Sequence, residues 1–96
     1  MRLLVVRHAK AEDPAKFAQT GLDDALRPLT EVGRKRVRRV SKGLTSLVET
    51  LDALVCSPYT RAVETAESLS RASPAVDISQ LDELMPEAPP QALLDW

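Results

Sequence analysis

Several residue types that small proteins commonly rely on are scarce in this sequence. Its 96 residues include one cysteine, one histidine and three aromatic residues, Phe17, Tyr59 and Trp96. The single cysteine, Cys56, excludes an intrachain disulfide and is typical of an intracellular protein, so we expect a cytoplasmic location. Because aromatic rings are so few, the core has to be built mainly from aliphatic side chains.

The charge balance and the length of the apolar runs exclude further classes of protein. A formal net charge of -1 provides no overall attraction to nucleic acid or to an anionic membrane. The apolar run at residues 3–6 (LLVV) is followed by Arg7 and is too short for a signal peptide or a membrane span. A chain of 96 residues has room for one domain. We therefore expect a single-domain monomer with no nucleic-acid or membrane partner.

Two apolar runs and one weaker segment predict three β-strands. Residues 3–6 form a continuous, partly β-branched run, which is typical of a strand buried on both faces. Residues 51–56 (LDALVC) form a second short run, and a weak third strand is predicted at residues 76–78. The irregular pattern at residues 14–27 predicts a long surface loop with one helical turn.

Three helices are predicted between and after these strands. The first follows Thr30, a suitable N-cap, and the second follows Ser57 and Pro58, which we expect at the N-cap and the first helical position. A short third helix is predicted from Pro90. Gly43 lies inside the first helix, where glycine costs about 1 kcal/mol relative to alanine, so close packing or a bend is expected there. Apolar spacing predicts the inward face of the first helix as Val37, Val40, Leu44, Leu47 or Val48, and Leu51.

The order of these elements predicts an α/β fold, a three-layer sandwich around a mostly parallel central sheet. In such sheets the functional site lies at the carboxyl ends of the strands. The segments RHA (residues 7–9) and SPYTRA (residues 57–62) each follow a predicted strand directly. We therefore expect both segments at the same edge of the sheet.

Three residues in these segments have the chemistry of a phosphate pocket. Arg7 and Arg61 carry guanidinium groups, which match pairs of phosphate oxygens, and a helix that begins near Ser57 offers free N–H groups to an anion. His8 provides a ring nitrogen that is able to attack phosphorus. The residues by themselves also fit an ordinary surface histidine and an ordinary first-turn arginine, so both interpretations stay open at this point.

Three sequence motifs support the interpretation as a phosphate pocket, namely VVRHAKAE, RPLTEVG and LVCSPYTRAVETA. They resemble the histidine phosphatase superfamily, and within it the SixA-type phosphohistidine phosphatases. The resemblance implies that His8 is the nucleophile that becomes phosphorylated and that Arg7 and Arg61 hold the phosphoryl oxygens. It places Ser57, as a phosphate-binding candidate, and Thr65 in the surrounding SPxxRAxxT framework. Because the arginines supply the positive charge, it implies no metal and no cofactor.

Two further residues are candidates with an alternative structural role. Arg27, in the RPLT segment, resembles a position of the SixA-like branch that lines the pocket, and it also fits a loop arginine that pairs with Asp23 or Asp24. Glu83 resembles the proton donor to the leaving group in larger superfamily members, and it also fits a solvated loop carboxylate.

One departure from the superfamily pattern concerns a second histidine. The resemblance implies a second histidine that completes the pocket, and the printed chain contains only His8. We expect the chain to be the N-terminal two-thirds of a histidine phosphatase domain, truncated before that motif. A smaller departure is Ala9, which stands where many members have glycine.

The sequence therefore predicts a phosphatase that works through a phosphohistidine intermediate, with a phosphohistidine-bearing protein as its substrate. A phosphomonoesterase or mutase that acts on a small phosphorylated metabolite is an alternative, and a non-catalytic phosphate-binding or interaction module is another. The basic run at residues 34–39 (RKRVRR) is interpreted as a solvated helix face rather than an RNA-binding surface, because no aromatic platform accompanies it. Cys56 is interpreted as a buried, unreactive thiol.

Overall fold

Helices and short strands alternate along the part of the chain that the computed structural model describes, residues 3–47, 50–71, 73 and 76–95. Two 3₁₀ turns, Asp24–Leu26 and Asp82–Leu84, connect regular elements. The six regular elements of this described part are α1 (Pro14–Ala18), α2 (Glu31–Leu47), β1 (Leu54–Cys56), α3 (Thr60–Ser70), β2 (Ile78–Gln80) and α4 (Pro90–Leu94).

The two strands pair in parallel, which confirms the predicted α/β class with a parallel sheet. Leu54 is opposite Ile78 and Cys56 is opposite Gln80. Parallel neighbours need a crossover connection, and α3 provides it by packing on both strands. Helix α2 packs in turn on α3, so the layers are sheet, helix and helix on this side of the molecule. The strand β2 begins two residues later than predicted.

The prediction of a buried strand at residues 3–6 is wrong. The segment has no assigned secondary structure, and Leu3 and Val5 are 77% and 88% exposed. Its side chains still alternate as in an extended chain, because Leu4 and Val6 line a cleft while Leu3 and Val5 face solvent. The physical reason is that a strand exists only through backbone hydrogen bonds to a neighbour. Within the described residues, β1 pairs with β2, and residues 3–6 join neither.

Helix α2 begins where the sequence predicts. The Gly33 N–H donates to Thr30 Oγ1 at 3.0 Å, so Thr30 is the N-cap. The helix ends at Leu47, before the predicted inward residue Leu51, and Val48 lies outside the described residues.

The buried face of α2 is narrower than its apolar pattern predicts. Val37 is buried and Leu44 is half-buried as expected, whereas Val40 and Leu47 are exposed. The stripe that faces α3 includes Ser41, whose hydroxyl donates to the Ser68 carbonyl at 2.9 Å. Polar contact therefore replaces apolar contact in the middle of this helix pair, and the apolar residues beside the stripe stay exposed.

Two glycines of α2 have opposite surroundings. A Cβ on Gly33 would collide with the carbonyl oxygen of Lys10, whereas a Cβ on Gly43 would meet no atom within 4 Å. The Lys10 carbonyl accepts hydrogen bonds from the Thr30 N–H at 2.9 Å and from the Thr30 hydroxyl at 3.1 Å. Close packing therefore requires Gly33. Of the two expectations for Gly43, close packing is wrong, and a bend of the helix stays a prediction.

A small aliphatic core supports the segment that carries the RHA motif, as the scarcity of aromatic residues predicts. Leu29, which is 1% exposed, packs with Val37 and Leu69. Ala9 and Ala11 pack against this cluster, and Ala11 forms an antiparallel bridge with Leu29. The chain just after the motif is thus held by the core, although residues 3–6 are not.

The remaining predicted elements are confirmed with small changes. The loop at residues 14–27 contains α1, which Asp13 caps through a 3.0 Å hydrogen bond from the Lys16 N–H. Helix α4 begins at Pro90 as predicted. Among the described residues, no helix has both the length and the apolar composition to cross a membrane.

Candidate active site

A cleft of about 340 Å³ is lined by strand β1 and by the segments that follow β1 and β2. Strand β1 leads directly into Ser57, and the Leu81 N–H that follows β2 donates to the Cys56 carbonyl at 2.8 Å. The cleft brings together most of the predicted site residues. Its polar lining includes Arg7, His8, Ser57, Tyr59, Arg61 and Thr65. Its apolar walls include Leu4, Val6, Leu69, Leu84 and Pro86.

His8 lies half-buried in this cleft with one ring nitrogen already engaged. Its Nδ1 is 2.7 Å from the carbonyl oxygen of Ala9. Because a carbonyl oxygen only accepts hydrogen bonds, Nδ1 must carry the proton in this contact. In the neutral ring the lone pair is then on Nε2. The backbone of the RHA segment therefore determines which nitrogen is available as a nucleophile.

Thr65 connects the histidine segment to helix α3. Its Oγ1 accepts a hydrogen bond from the Ala9 N–H at 3.2 Å and donates to the Arg61 carbonyl at 2.8 Å. Thr65 is buried, and its contact with the Arg61 carbonyl is shielded from water. The SPxxRAxxT framework therefore holds the backbone of His8 and the helix that carries Arg61 in one fixed relation.

Arg61 is a buried cation, only 7% exposed, in the first turn of α3. Its guanidinium carbon lies 4.8 Å from the centre of the Tyr59 ring, a cation–π distance. Its Nη1 lies 3.3 Å from Oδ2 of Asp24. A buried charge has to be paired and hydrogen-bonded, and this one is held by a carboxylate and by an aromatic face.

The predicted capping roles of Ser57 and Pro58 are wrong. Helix α3 begins at Thr60, and Tyr59 occupies the N-cap position without a side-chain hydrogen bond to the helix. Tyr59 has extended backbone angles, φ −62° and ψ 137°, so the helix cannot start before it. Ser57 Oγ instead accepts a hydrogen bond from the Tyr59 N–H at 3.2 Å and stabilises the turn before the helix. The contact of Ser57 with phosphate stays a prediction.

The remaining site candidates occupy different positions around the cleft. Arg7 is exposed at its edge. Arg27 is not part of the cleft lining, and its Nε donates to Asp24 Oδ1 at 2.8 Å, which confirms the predicted pairing with an aspartate of this loop. Glu83 is half-buried in the turn after β2, where its neighbour Leu84 lines the cleft. The phosphate-binding role of Arg27 and the proton-donor role of Glu83 stay predictions.

Sequence reasoning missed two residues that contact the arginine. Tyr59 lies inside the SPYTRA segment, and its hydroxyl donates to Glu87 Oε2 at 2.8 Å. Asp24 lies three residues before Arg27, a spacing that signals the local ion pair but not the contact with distant Arg61.

The thiol of Cys56 is buried, as predicted, and this burial together with the charge of Glu67 raises its pKa.

A second depression and the arrangement of metal-ligating side chains can be compared with the cleft. A depression of about 520 Å³ at the amino ends of the strands is lined by residues such as Thr50, Asp52 and Asp77, and it contains none of the predicted site residues. Among the described residues, no group of three histidine, cysteine or acidic side chains is arranged to hold a metal ion.

Comparison with known proteins finds similarity over most of the chain. The sequence profile of the histidine phosphatase superfamily (branch 1) matches residues 3–86. A Xenopus tropicalis relative, the mitochondrial serine/threonine-protein phosphatase PGAM5, is 34% identical over 87 residues, which is 91% of this chain and 29% of that protein.

Two solved structures are also similar. The putative phosphohistidine phosphatase SixA from Agrobacterium tumefaciens has a TM-score of 0.78 and 28% identity, over 94% of this chain and 55% of that chain. The protein histidine phosphatase SixA complexed with tungstate has a TM-score of 0.69 and 28% identity, over 90% of this chain and 52% of that chain. The chain thus spans about half the length of these structures.

Proposed function

Because the chain belongs to the histidine phosphatase superfamily, we propose that it acts in a phosphatase in which His8 accepts the phosphoryl group. The observation that carries this proposal is the 2.7 Å contact between His8 Nδ1 and the Ala9 carbonyl, which leaves the Nε2 lone pair available. Arg7 and Arg61 line the same cleft, so cationic groups are present near the attacking nitrogen.

The proposed reaction has two steps. First, Nε2 of His8 forms a bond to phosphorus while the bond from phosphorus to the leaving group breaks, and the leaving group takes up a proton. Second, a water oxygen attacks the phosphorus, the bond to Nε2 breaks, and inorganic phosphate leaves. In both steps Arg7 and Arg61 neutralise negative charge on the phosphoryl oxygens, which is the main source of catalysis in phosphoryl transfer.

The substrate that we propose is phosphohistidine on a protein. The similarity to two SixA structures supports this choice, because they are described as a putative phosphohistidine phosphatase and a protein histidine phosphatase. The exposure of Arg7 and the half-exposure of His8 suit a phosphoryl group that is presented by another protein. A phosphoramidate nitrogen leaves readily once it is protonated, so the reaction needs only modest help from an acid such as Glu83.

A second candidate substrate is a phosphate ester. The relative named as a serine/threonine-protein phosphatase favours it, since an ester oxygen would then be the leaving group. An alkoxide is a poorer leaving group than a protonated nitrogen, so this reaction depends more strongly on a proton donor. A panel of phosphohistidine protein, phosphoserine peptide and sugar phosphate separates these substrates, and replacement of Glu83 by glutamine should slow ester hydrolysis more than phosphoramidate hydrolysis.

The experiment that tests the proposed function is the capture of the intermediate. The natural full-length protein is mixed with a phosphohistidine protein that carries labelled phosphate, quenched in alkali, and examined for acid-labile label. We expect label on His8 in the wild type, and in His8→Ala no label and no turnover, with an unchanged circular dichroism spectrum. Label that persists in His8→Ala would remove His8 as the nucleophile.

A further inference from the structure

The hydrogen bonds of the Arg61 guanidinium are unevenly distributed. Its Nη1 donates to the backbone carbonyl of Asp24 at 3.1 Å and lies 3.3 Å from Oδ2 of the same residue. The first contact is a hydrogen bond and the second is an ion pair, and both engage Nη1. Within the described part of the chain, Nη1 is the nitrogen of the Arg61 side chain that donates a hydrogen bond, and neither Nε nor Nη2 donates one. The Nε and Nη2 groups therefore retain their hydrogens as a parallel pair, the arrangement that binds two oxygens of a phosphoryl group.

The carboxylate of Asp24 is shared between two arginines. Its Oδ1 accepts from Arg27 Nε at 2.8 Å while its Oδ2 faces Arg61. Arg27 is itself fixed by a hydrogen bond from its Nη1 to the Glu12 carbonyl at 2.8 Å. The hydrogen bond from Arg27, followed by the charges of both arginines, lowers the pKa of Asp24, so the carboxylate is ionised at neutral pH. A neutral side chain of the same shape has only one acceptor oxygen and cannot serve both arginines.

We propose that Asp24 is a positioning residue for phosphoryl binding, which acts by orienting Arg61. Its carbonyl and carboxylate hold Nη1, and the Tyr59 ring covers the guanidinium at 4.8 Å, so the guanidinium is restrained from two sides. Arg61 lines the cleft that contains His8, so its orientation determines how the Nε and Nη2 edge meets a phosphoryl group there. This inference rests on the proposed function, because it assigns the cleft to a phosphoryl group.

The neighbouring aspartate provides a matched control. Asp23 Oδ1 accepts from the Ala25 N–H at 2.9 Å and caps the 3₁₀ turn Asp24–Leu26, without a hydrogen bond or ion pair to Arg27 or Arg61. The replacements Asp23→Asn and Asp24→Asn remove the same charge from adjacent positions. A difference between the two variants therefore reports the contact with the arginines rather than the net charge of the loop.

The test uses the natural full-length protein with inorganic phosphate as the binding probe and a phosphohistidine protein as the substrate. We expect Asp24→Asn to weaken phosphate binding and to lower kcat/KM about tenfold or more. This loss should be smaller than the factor of about 10²–10³ that is typical when an oxyanion contact is removed entirely. Asp23→Asn should stay close to wild type in both measurements. Thermal melting of each variant shows that the loss does not come from unfolding.

A double-mutant cycle tests whether Asp24 acts through Arg61. In an Arg61→Ala background, Asp24→Asn should have little further effect, because the group that it orients is gone. Equal behaviour of Asp24→Asn and Asp23→Asn, or full additivity with Arg61→Ala, would overturn the inference. A wild type that binds phosphate in an Asp24-dependent way but transfers none to His8 would overturn the proposed function alone. A wild type that binds no phosphate would overturn both.

Discussion

Arg61 makes contacts that a lysine at the same position would not reproduce. The side chain is buried, and its planar guanidinium meets an aspartate along one edge and the Tyr59 ring on one face. A lysine ammonium carries the same charge without a planar fork and is more strongly hydrated. At the residue scale, the shape of this cation therefore matters as much as its sign.

Arg61→Lys should retain the fold and lose activity. We expect kcat/KM for a phosphohistidine protein to fall by about 10²–10³, which is typical of the loss of one oriented contact to a developing charge. Steady-state kinetics measure the effect. The control is Arg38→Lys, since Arg38 is an exposed residue of α2. Unchanged kinetics in Arg61→Lys would show that Arg61 does not contact the phosphoryl group.

The hydroxyl of Tyr59 provides a second prediction at this scale. Its hydrogen bond to Glu87, together with the negative charge of that residue, raises the tyrosine pKa above its ordinary value of 10.0. A pKa that is higher in the folded state stabilises the fold below the unfolded pKa, and this stabilisation disappears as the pH rises through the folded pKa.

Glu87→Gln should lower the pKa of Tyr59 toward 10.0 and reduce the loss of stability that occurs as the pH rises above that value. The phenolate absorbance of Tyr59 is isolated by subtracting the titration of Tyr59→Phe. The control is Asp82→Asn, an exposed carboxylate in the turn after β2. A Tyr59 titration that is the same in wild type and Glu87→Gln would show that the two side chains do not interact in solution.

At the scale of elements, the start of α2 sets the position of the chain that carries His8. The Lys10 carbonyl accepts two hydrogen bonds from Thr30, and Gly33 permits the helix to approach this carbonyl. Glu64 of α3 adds a second connection, because its carboxylate accepts from the Leu29 N–H at 2.9 Å and forms an ion pair with Arg34 at 3.0 Å. Two helices thus determine where the RHA segment lies.

The two glycines of α2 allow a matched test of this arrangement. Gly43→Ala should stabilise the protein by up to about 1 kcal/mol, because alanine is the better helix former and open space surrounds the position. Gly33→Ala should destabilise it by about 1–3 kcal/mol and reduce activity, because the new methyl group displaces the Lys10 backbone. Denaturant unfolding and kinetics measure both effects. A Gly33→Ala variant as stable and active as Gly43→Ala would contradict the close contact.

At the scale of the whole molecule, the main feature is exposed apolar surface along one extended segment. Leu3 and Val5 face solvent, and Leu4 and Val6 line one wall of the open cleft. Contiguous apolar surface of this kind favours association or requires a covering partner. The stability of the 96-residue chain by itself is therefore expected to be low.

Residues 1–96, expressed alone, should be a poor catalyst and should bind a hydrophobic dye strongly. The resemblance to the superfamily implies a second histidine in the pocket, and the printed chain has only His8. Dye fluorescence, thermal melting and phosphohistidine hydrolysis are compared with those of a full-length SixA-type relative. Cooperative melting together with a comparable rate of hydrolysis would contradict this prediction.

The sequence by itself determined the features that depend on short stretches of chain. Apolar runs, the Thr30 cap and the proline at position 90 predicted the order of the elements from α2 to α4, the start of α2 and the start of α4. The motifs also identified His8 and Arg61, which the fold brings to one cleft. These signals are local, since propensities, caps and periodicity act over a few residues.

Only the tertiary structure decided which contacts join distant segments. The pairing of Arg61 with Asp24 spans 37 positions, and neither residue signals the other in the sequence. The same holds for Gly33, whose necessity comes from the Lys10 carbonyl, and for the absence of strand pairing at residues 3–6. A strand, a close approach and a shared carboxylate each need a partner from another part of the chain. Packing selects that partner, and local sequence does not.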